Sequence, residues 1–236
     1  MFFGDIYNYD VESEEWYIFK HKIEQHMKLR KEYERYVLNF NSMINNPSIR
    51  IKNLVSKEYI TSEVFSDINS FMSDNDINLI QRYKLEYDQR YIQILVGCII
   101  KDEFNNYIIL NPHYQDSYCT LTKGHVDYSR KDCYSMSEKD FLLKSMLREL
   151  KEELSFPKDT KLNPIFKGVL YCTESKRCAE HLTCIYELKL PLSIMKKITS
   201  NEKEKHSVII TSKRNLLNGG YRLDETIRKL ISLKLI

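Results

Sequence analysis

Glycine and proline are scarce, at 6 and 5 of 236 residues, and there is a single tryptophan. So few turn-formers exclude a collagen-like or low-complexity chain and point to long regular elements joined by few tight turns. Long hydrophobic runs are missing as well: "ILVGCII" at 94–100 is far too short to cross a bilayer. The opening "MFFGDIYNYDVESEEW" is acidic and has neither the basic nor the apolar stretch of a secretion signal. From these two absences we expect a cytoplasmic chain without membrane contact. Excess charge of one sign is also lacking. The 36 Lys and Arg against 33 Asp and Glu leave +3, which argues against nucleic acid as a partner.

Cysteine is present but unpatterned. The six at 98, 119, 133, 172, 178 and 184 lack paired C-x2-C spacing, and the chain is not a short secreted one. The group Cys172, Cys178, His181 and Cys184 invites a zinc reading, but its spacing is wrong for one. Reduced, half-buried thiols are expected instead.

Apolar residues make up 42% and charged residues 29%, enough for one large or two small cores. Two regimes follow along the chain. Residues 1–88 read as a mainly helical N-terminal region, with apolar and aromatic residues at three- and four-residue spacings in "SEEWYIFKHKIEQHMKLRKEYERYVLNF". It would serve as an extension, a lid or a homodimer contact. Residues 89–236 read as a second unit rich in strands. "YIQILVGCII", "YIILNP", "SYCTLTKGH", "PIFKGVLYC", "HLTCIYELKL" and "HSVIITS" have strand character, "DEFNN" and "NGG" are turns, and "LDETIRKLISLKLI" closes as an amphipathic helix. A further helix is expected at 138–154, opened by Ser137 with Asp140 three residues on. The order implies an α/β (α+β) sandwich, helices flanking a mixed sheet.

That helix carries an oddity. Leu143, Leu147, Leu150 and Leu154 form an apolar stripe, while Glu149, Glu152 and Glu153 crowd the last turn, on what reads as a different face. Like charges at i, i+3 and i+4 repel by a few tenths of a kcal/mol each. They also occupy the negative end of the helix dipole. A bound divalent cation reverses both penalties, and oxygen ligands of this kind suit Mg²⁺ or Mn²⁺. A solvated acidic turn screened by Arg148 and Lys151 is the plainer reading.

The wider pattern decides between them. "RELKEEL" at 148–154 resembles the R-E-apolar-x-E-E heart of the Nudix box, and "KGHVD" upstream resembles its glycine loop. "KGHVD" and "AEHLTCIYEL" are similar to a branch of bacterial Nudix-type phosphoesterases of unassigned substrate. Three departures stand out. The stretch from Gly124 to Asp140 is about ten residues too long, by an insertion at 128–137; Asp140 replaces a Glu; and Ser155 replaces the Gly after the Glu pair.

The resemblance implies a Nudix-like α/β/α sandwich and metal-dependent cleavage of the pyrophosphate of a nucleoside diphosphate linked to another moiety. It implies Glu149, Glu152 and Glu153 as metal ligands, with a backbone carbonyl at Lys123 or Gly124. Arg148 would orient Glu152. Lys123, His125 and His181 would contact a small nucleotide substrate. The general base would be Glu149 or Glu152, or a loop acid, Glu202 or Glu204. Two other readings stay open: a non-catalytic nucleotide-sensing module, and an RNA-end (decapping) hydrolase.

Overall fold

The computed structural model describes residues 45–50, 59–61, 77–81, 91–114, 117–126, 138–172 and 181–236. The longest strand, β4 (Tyr91–Lys101), is the run of Ile, Leu and Val expected to be buried on both faces. Along its whole length it pairs in parallel with β9 (His181–Lys189). Its other edge is shared in succession by three antiparallel strands. These are β1 (Asn45–Arg50), β6 (Thr122–His125) and β5 (Asn106–Pro112). Outside β5 lies β11 (His206–Ser212). Beyond β9 come β8 (Ile165–Tyr171) and β2 (Tyr59–Thr61), and β3 (Ile77–Gln81) pairs with β1. The described residues thus form one mixed sheet of nine strands.

The pleat sorts the core into two halves. Ile92, Ile94, Val96, Cys98 and Ile100 turn to one face and pack under α1 (Glu138–Glu153), through Leu142, Met146 and Leu150. Ile99, Tyr107, Ile109 and Ile185 turn to the other face, covered by α4 (Glu225–Ser232) through Ile227 and Leu230. Two short helices, α2 (Leu192–Met195) and α3 (Lys213–Leu217), follow β9 and β11. α4 is capped by Asp224, whose side chain accepts from the Ile227 N–H at 2.9 Å. The expected turn chemistry is in place: Asp102 accepts from the Phe104 and Asn106 amides, and Gly219 takes a positive φ. Among the described residues no helix is long and apolar enough to cross a membrane.

Two expectations are revised. Where residues before 89 are described, they are strands and not helices, and β1 and β2 join the same sheet as β4. Pairing with β1 draws Ile77–Gln81 into the sheet, and β1 meets β4 only over Ser48–Arg50, so Pro47 breaks none of those bonds. The rest of the expected helical region, with Ser137 and the 128–137 insertion, lies outside the described residues. The buried row of α1 also differs. Phe141, Leu142 and Met146 are the residues wholly covered, with Leu150 and Leu154, while Leu143 and Leu147 are only partly so.

The cysteines follow the sheet. Cys184 lies in the half under α1 and Cys172 in the half under α4, so the layer between them prevents a shared metal. Cys98, Cys119 and Cys184 are free thiols, and burial pushes Cys184 up to about 12.

Leu150 is fully buried between α1 and β4. Leu150→Ala is expected to lower unfolding free energy by about 2–5 kcal/mol, read from urea denaturation.

Candidate active site

A helix of 3.6 residues per turn places Leu142, Met146, Glu149 and Glu153 within about 60° of arc. The acids are therefore not on a separate face. Glu149 and Glu153 continue the row that packs on the sheet, and Glu149 is 8% exposed. Glu152 falls outside the row and is exposed, with its side chain 56% accessible. The expectation of three carboxylates sharing one face apart from the apolar stripe is corrected to two beneath the helix and one beside it.

What lets two acids lie there is β6. Its register sets Gly124 opposite Val96, on the α1 side of the sheet. Gly124 has no side chain, and the Glu149 carboxylate occupies the space that a Cβ would need. One residue earlier, the backbone N–H of Lys123 donates to the Glu153 carboxylate. One residue later, the His125 carbonyl accepts from Arg148 Nη2 at 2.8 Å. Three successive residues of β6 thus engage three residues of one helix.

Arg148 also binds its neighbours. Nη2 lies 2.7 Å from Glu149 Oε1, and Nη1 lies 3.2 Å from Glu152 Oε2. The tighter partner is the buried Glu149. The Glu152 pair is solvent-exposed and worth well under 1 kcal/mol.

Glu153 is the electrostatic anomaly. Burial pushes its carboxyl up to about 8, and the charges of Glu149 and Glu202 add to the rise. Its Oε2 atom is buried with no hydrogen-bond partner. Glu202 comes from the turn between β10 (Thr199–Ser200) and β11, and its carboxylate is paired with Lys205. The His206 ring donates to the Glu153 carbonyl, and burial lowers its pKa.

The remaining expected residues separate. Alternation along β6 turns Lys123 and His125 to the α4 face. There the Lys123 ammonium lies 2.5 Å from Asp224 Oδ2 and 3.2 Å from Thr226 Oγ1. His125 meets His181 edge to face, with ring centroids 5.4 Å apart. Glu204 is exposed on the turn before β11. Sequence reasoning missed Asn201, His206 and Asp224. The only signal for Asn201 and His206 was that they flank the acidic stretch already singled out.

Among the described residues no three His, Cys, Asp or Glu side chains stand grouped as a ready-made metal site. In kind, the donors suit a hard divalent cation: carboxylate oxygens, one without a partner and one seated where Gly124 has no side chain.

No sequence-family model matches the chain, and no curated protein matches it. Solved structures do. The crystal structure of Tm1382, described as a Nudix hydrolase, superposes with a TM-score of 0.61 at 17% identity, over 81% of this chain and 100% of that one. The NUDIX domain of Shewanella oneidensis NrtR, complexed with ADP ribose, aligns at 0.41 and 10% identity, over 61% of this chain and 88% of that one. MutT from Aliivibrio salmonicida and Vibrio cholerae aligns at 0.36 and 15% identity, over 59% and 93%. The first superposition identifies the architecture as the Nudix fold.

Two measurements probe this geometry. Gly124→Ala puts a methyl group into the Glu149 carboxylate and is expected to destabilise by about 1–3 kcal/mol. Adding Glu149→Ala should recover most of that loss in a double-mutant cycle. Glu153 holds its proton more tightly folded than unfolded, so it favours folding below about pH 4.5 and loses that contribution as pH rises through about 8. Without divalent metal, the melting temperature of Glu153→Gln relative to wild type should therefore increase from pH 5 to pH 9.

Proposed function

We propose that this Nudix-fold chain is a metal-dependent hydrolase that cleaves the pyrophosphate bond of a nucleoside diphosphate linked to another moiety. One observation carries the reading. The Glu149 carboxylate is buried against Gly124, and the neighbouring Glu153, at the Lys123 amide, is left with a buried unpartnered oxygen and a raised pKa. A site that only stabilised the fold would put an apolar group at 153, because a buried carboxylate oxygen without a partner costs more than it returns. The fold and the R-E-L-K-E-E motif at 148–153 support the same assignment.

Glu149 and Glu153 would hold Mg²⁺ or Mn²⁺, joined by Glu152 on rotation towards them and by the Gly124 carbonyl. When bound, the metal supplies a water of lowered pKa and neutralises charge on the leaving phosphate. The chain's own groups do the rest. Arg148 holds Glu149 in place through the bond to the His125 carbonyl. Glu202, half-buried and near enough to raise the pKa of Glu153, takes the proton from the attacking water. Lys123 supports the strand from the far face through Asp224 and is not assigned a phosphate contact.

The test is a panel of nucleoside diphosphate sugars, dinucleoside polyphosphates and dinucleotide cofactors, each with Mg²⁺ or Mn²⁺. At least one should yield two phosphate-ended products, one carrying ¹⁸O from labelled water. Glu149→Gln and Glu153→Gln should each lower kcat by at least about 100-fold while remaining folded. Unchanged turnover in both would refute the assignment, and tight nucleotide binding without turnover would point to a sensor.

A further inference from the structure

An α-helix ends with four backbone carbonyls that lack helical partners. The usual solution is a glycine in the left-handed conformation just past the end. α1 has no such glycine. The chain runs straight from Glu153 into β7 (Leu154–Ser155), which pairs antiparallel with β10. The residue after β10 is Asn201, and it caps the helix from outside. Its backbone N–H donates to the Glu153 carbonyl at 2.9 Å, and its Nδ2 donates to the Lys151 carbonyl at 2.7 Å. The Glu153 carbonyl also accepts from the His206 ring. One remote residue thus supplies both of its donor groups to the end of the helix that carries the acids.

The next residue is Glu202, and its backbone is held on both sides. Its N–H donates to Ser200 Oγ at 2.9 Å, and its carbonyl accepts from the Lys205 and His206 amides at 2.8 and 3.1 Å. The turn is therefore a rigid unit whose link to the helix runs through the short β7–β10 pair, Asn201 and His206. Its one acid near the site is Glu202.

We infer that Asn201 is a positioning residue: its side-chain amide clamps the 199–206 turn to the C-terminus of α1 and so delivers the Glu202 carboxylate to Glu153. This rests on the proposed hydrolase reading for its consequence, but the clamp itself is independent of it. Asn201 is exposed and its side chain meets only the Lys151 carbonyl, while its backbone N–H holds the Glu153 carbonyl, so an effect of the side chain on turnover is carried by the turn and Glu202. A cap that served stability alone would act equally on any residue of the last turn.

Three full-length variants test the idea. Asn201→Asp keeps the shape but removes the donor and puts a negative charge against the Lys151 carbonyl; Asn201→Ala removes the group; Asn201→Ser restores a shorter donor. Hydrogen exchange on the metal-free protein comes first. In Asn201→Asp and Asn201→Ala, amides of 199–206 should exchange at least about tenfold faster, while those of 141–150 keep their protection. With a substrate from the panel, kcat should fall about 10- to 100-fold, KM should change less than about threefold, and Asn201→Ser should recover part of the loss. Combining Asn201→Ala with Glu202→Gln should cost no more than Glu202→Gln alone. Unaltered exchange in the turn, or additive losses in the double variant, would overturn the inference. Turnover left unchanged in both Glu149→Gln and Glu153→Gln would instead overturn the proposed assignment of the site, whatever the exchange shows.

Discussion

Everything at the site depends on one contact, the seating of the Glu149 carboxylate where Gly124 has no side chain. Any larger residue at position 124 would lift α1 from the sheet or expel the acid. With the glycine there, the helix approaches closely enough for Lys123 to bond Glu153 and for Arg148 to reach the His125 carbonyl. Register then follows: β6 is fixed to β4 by its pairing, and α1 is fixed to β6 by three consecutive contacts. The apolar residues beneath, Leu142, Met146 and Leu150, supply the burial that keeps the acids in place.

The arrangement is electrostatically costly, and the cost is confined. Two carboxylates near the negative end of a helix are relieved by Arg148 on one side and by the Lys123 amide on the other. Neither neutralises Glu153. Its raised pKa and unpartnered oxygen mark the place where the interior most needs a positive charge. The third acid reaches this place from far along the chain, on a turn tied to the helix end by Asn201 and His206. The opposite face of the sheet is quieter. Lys123, Asp224, Thr120 and Thr226 form a satisfied network that joins β6 to the start of α4.

The legible part of the site was its chemistry along one helix. "RELKEEL" and "KGH" named the acids, the arginine and the glycine, because helix and strand periods constrain residues within a few positions of each other. The strands from 91 onward were legible for the same reason. The direction of each side chain was not. Lys123 and His125 stand beside Gly124 in sequence but turn to the other face, because neighbours in a strand alternate. Counting residues from Leu142 could have shown Glu149 and Glu153 on the packed row, but the leucines at 143 and 147 drew attention to the wrong arc. The strands at 45–50, 59–61 and 77–81 were beyond local reading, since each is defined by a partner distant in the chain.

By itself, then, the chain order determined which residues bear charge, which segments repeat at helical or strand spacing, and that its longest apolar run is too short to cross a bilayer as a helix. Only tertiary structure decided that Glu149 rests on Gly124, that Lys123 belongs to Asp224, and that the charge of Glu202 bears on the distant Glu153. The division has a physical cause. Periodicity is a property of covalent geometry over a few residues, whereas burial, and the shifted acidity that comes with it, exists only once distant strands have closed around a group.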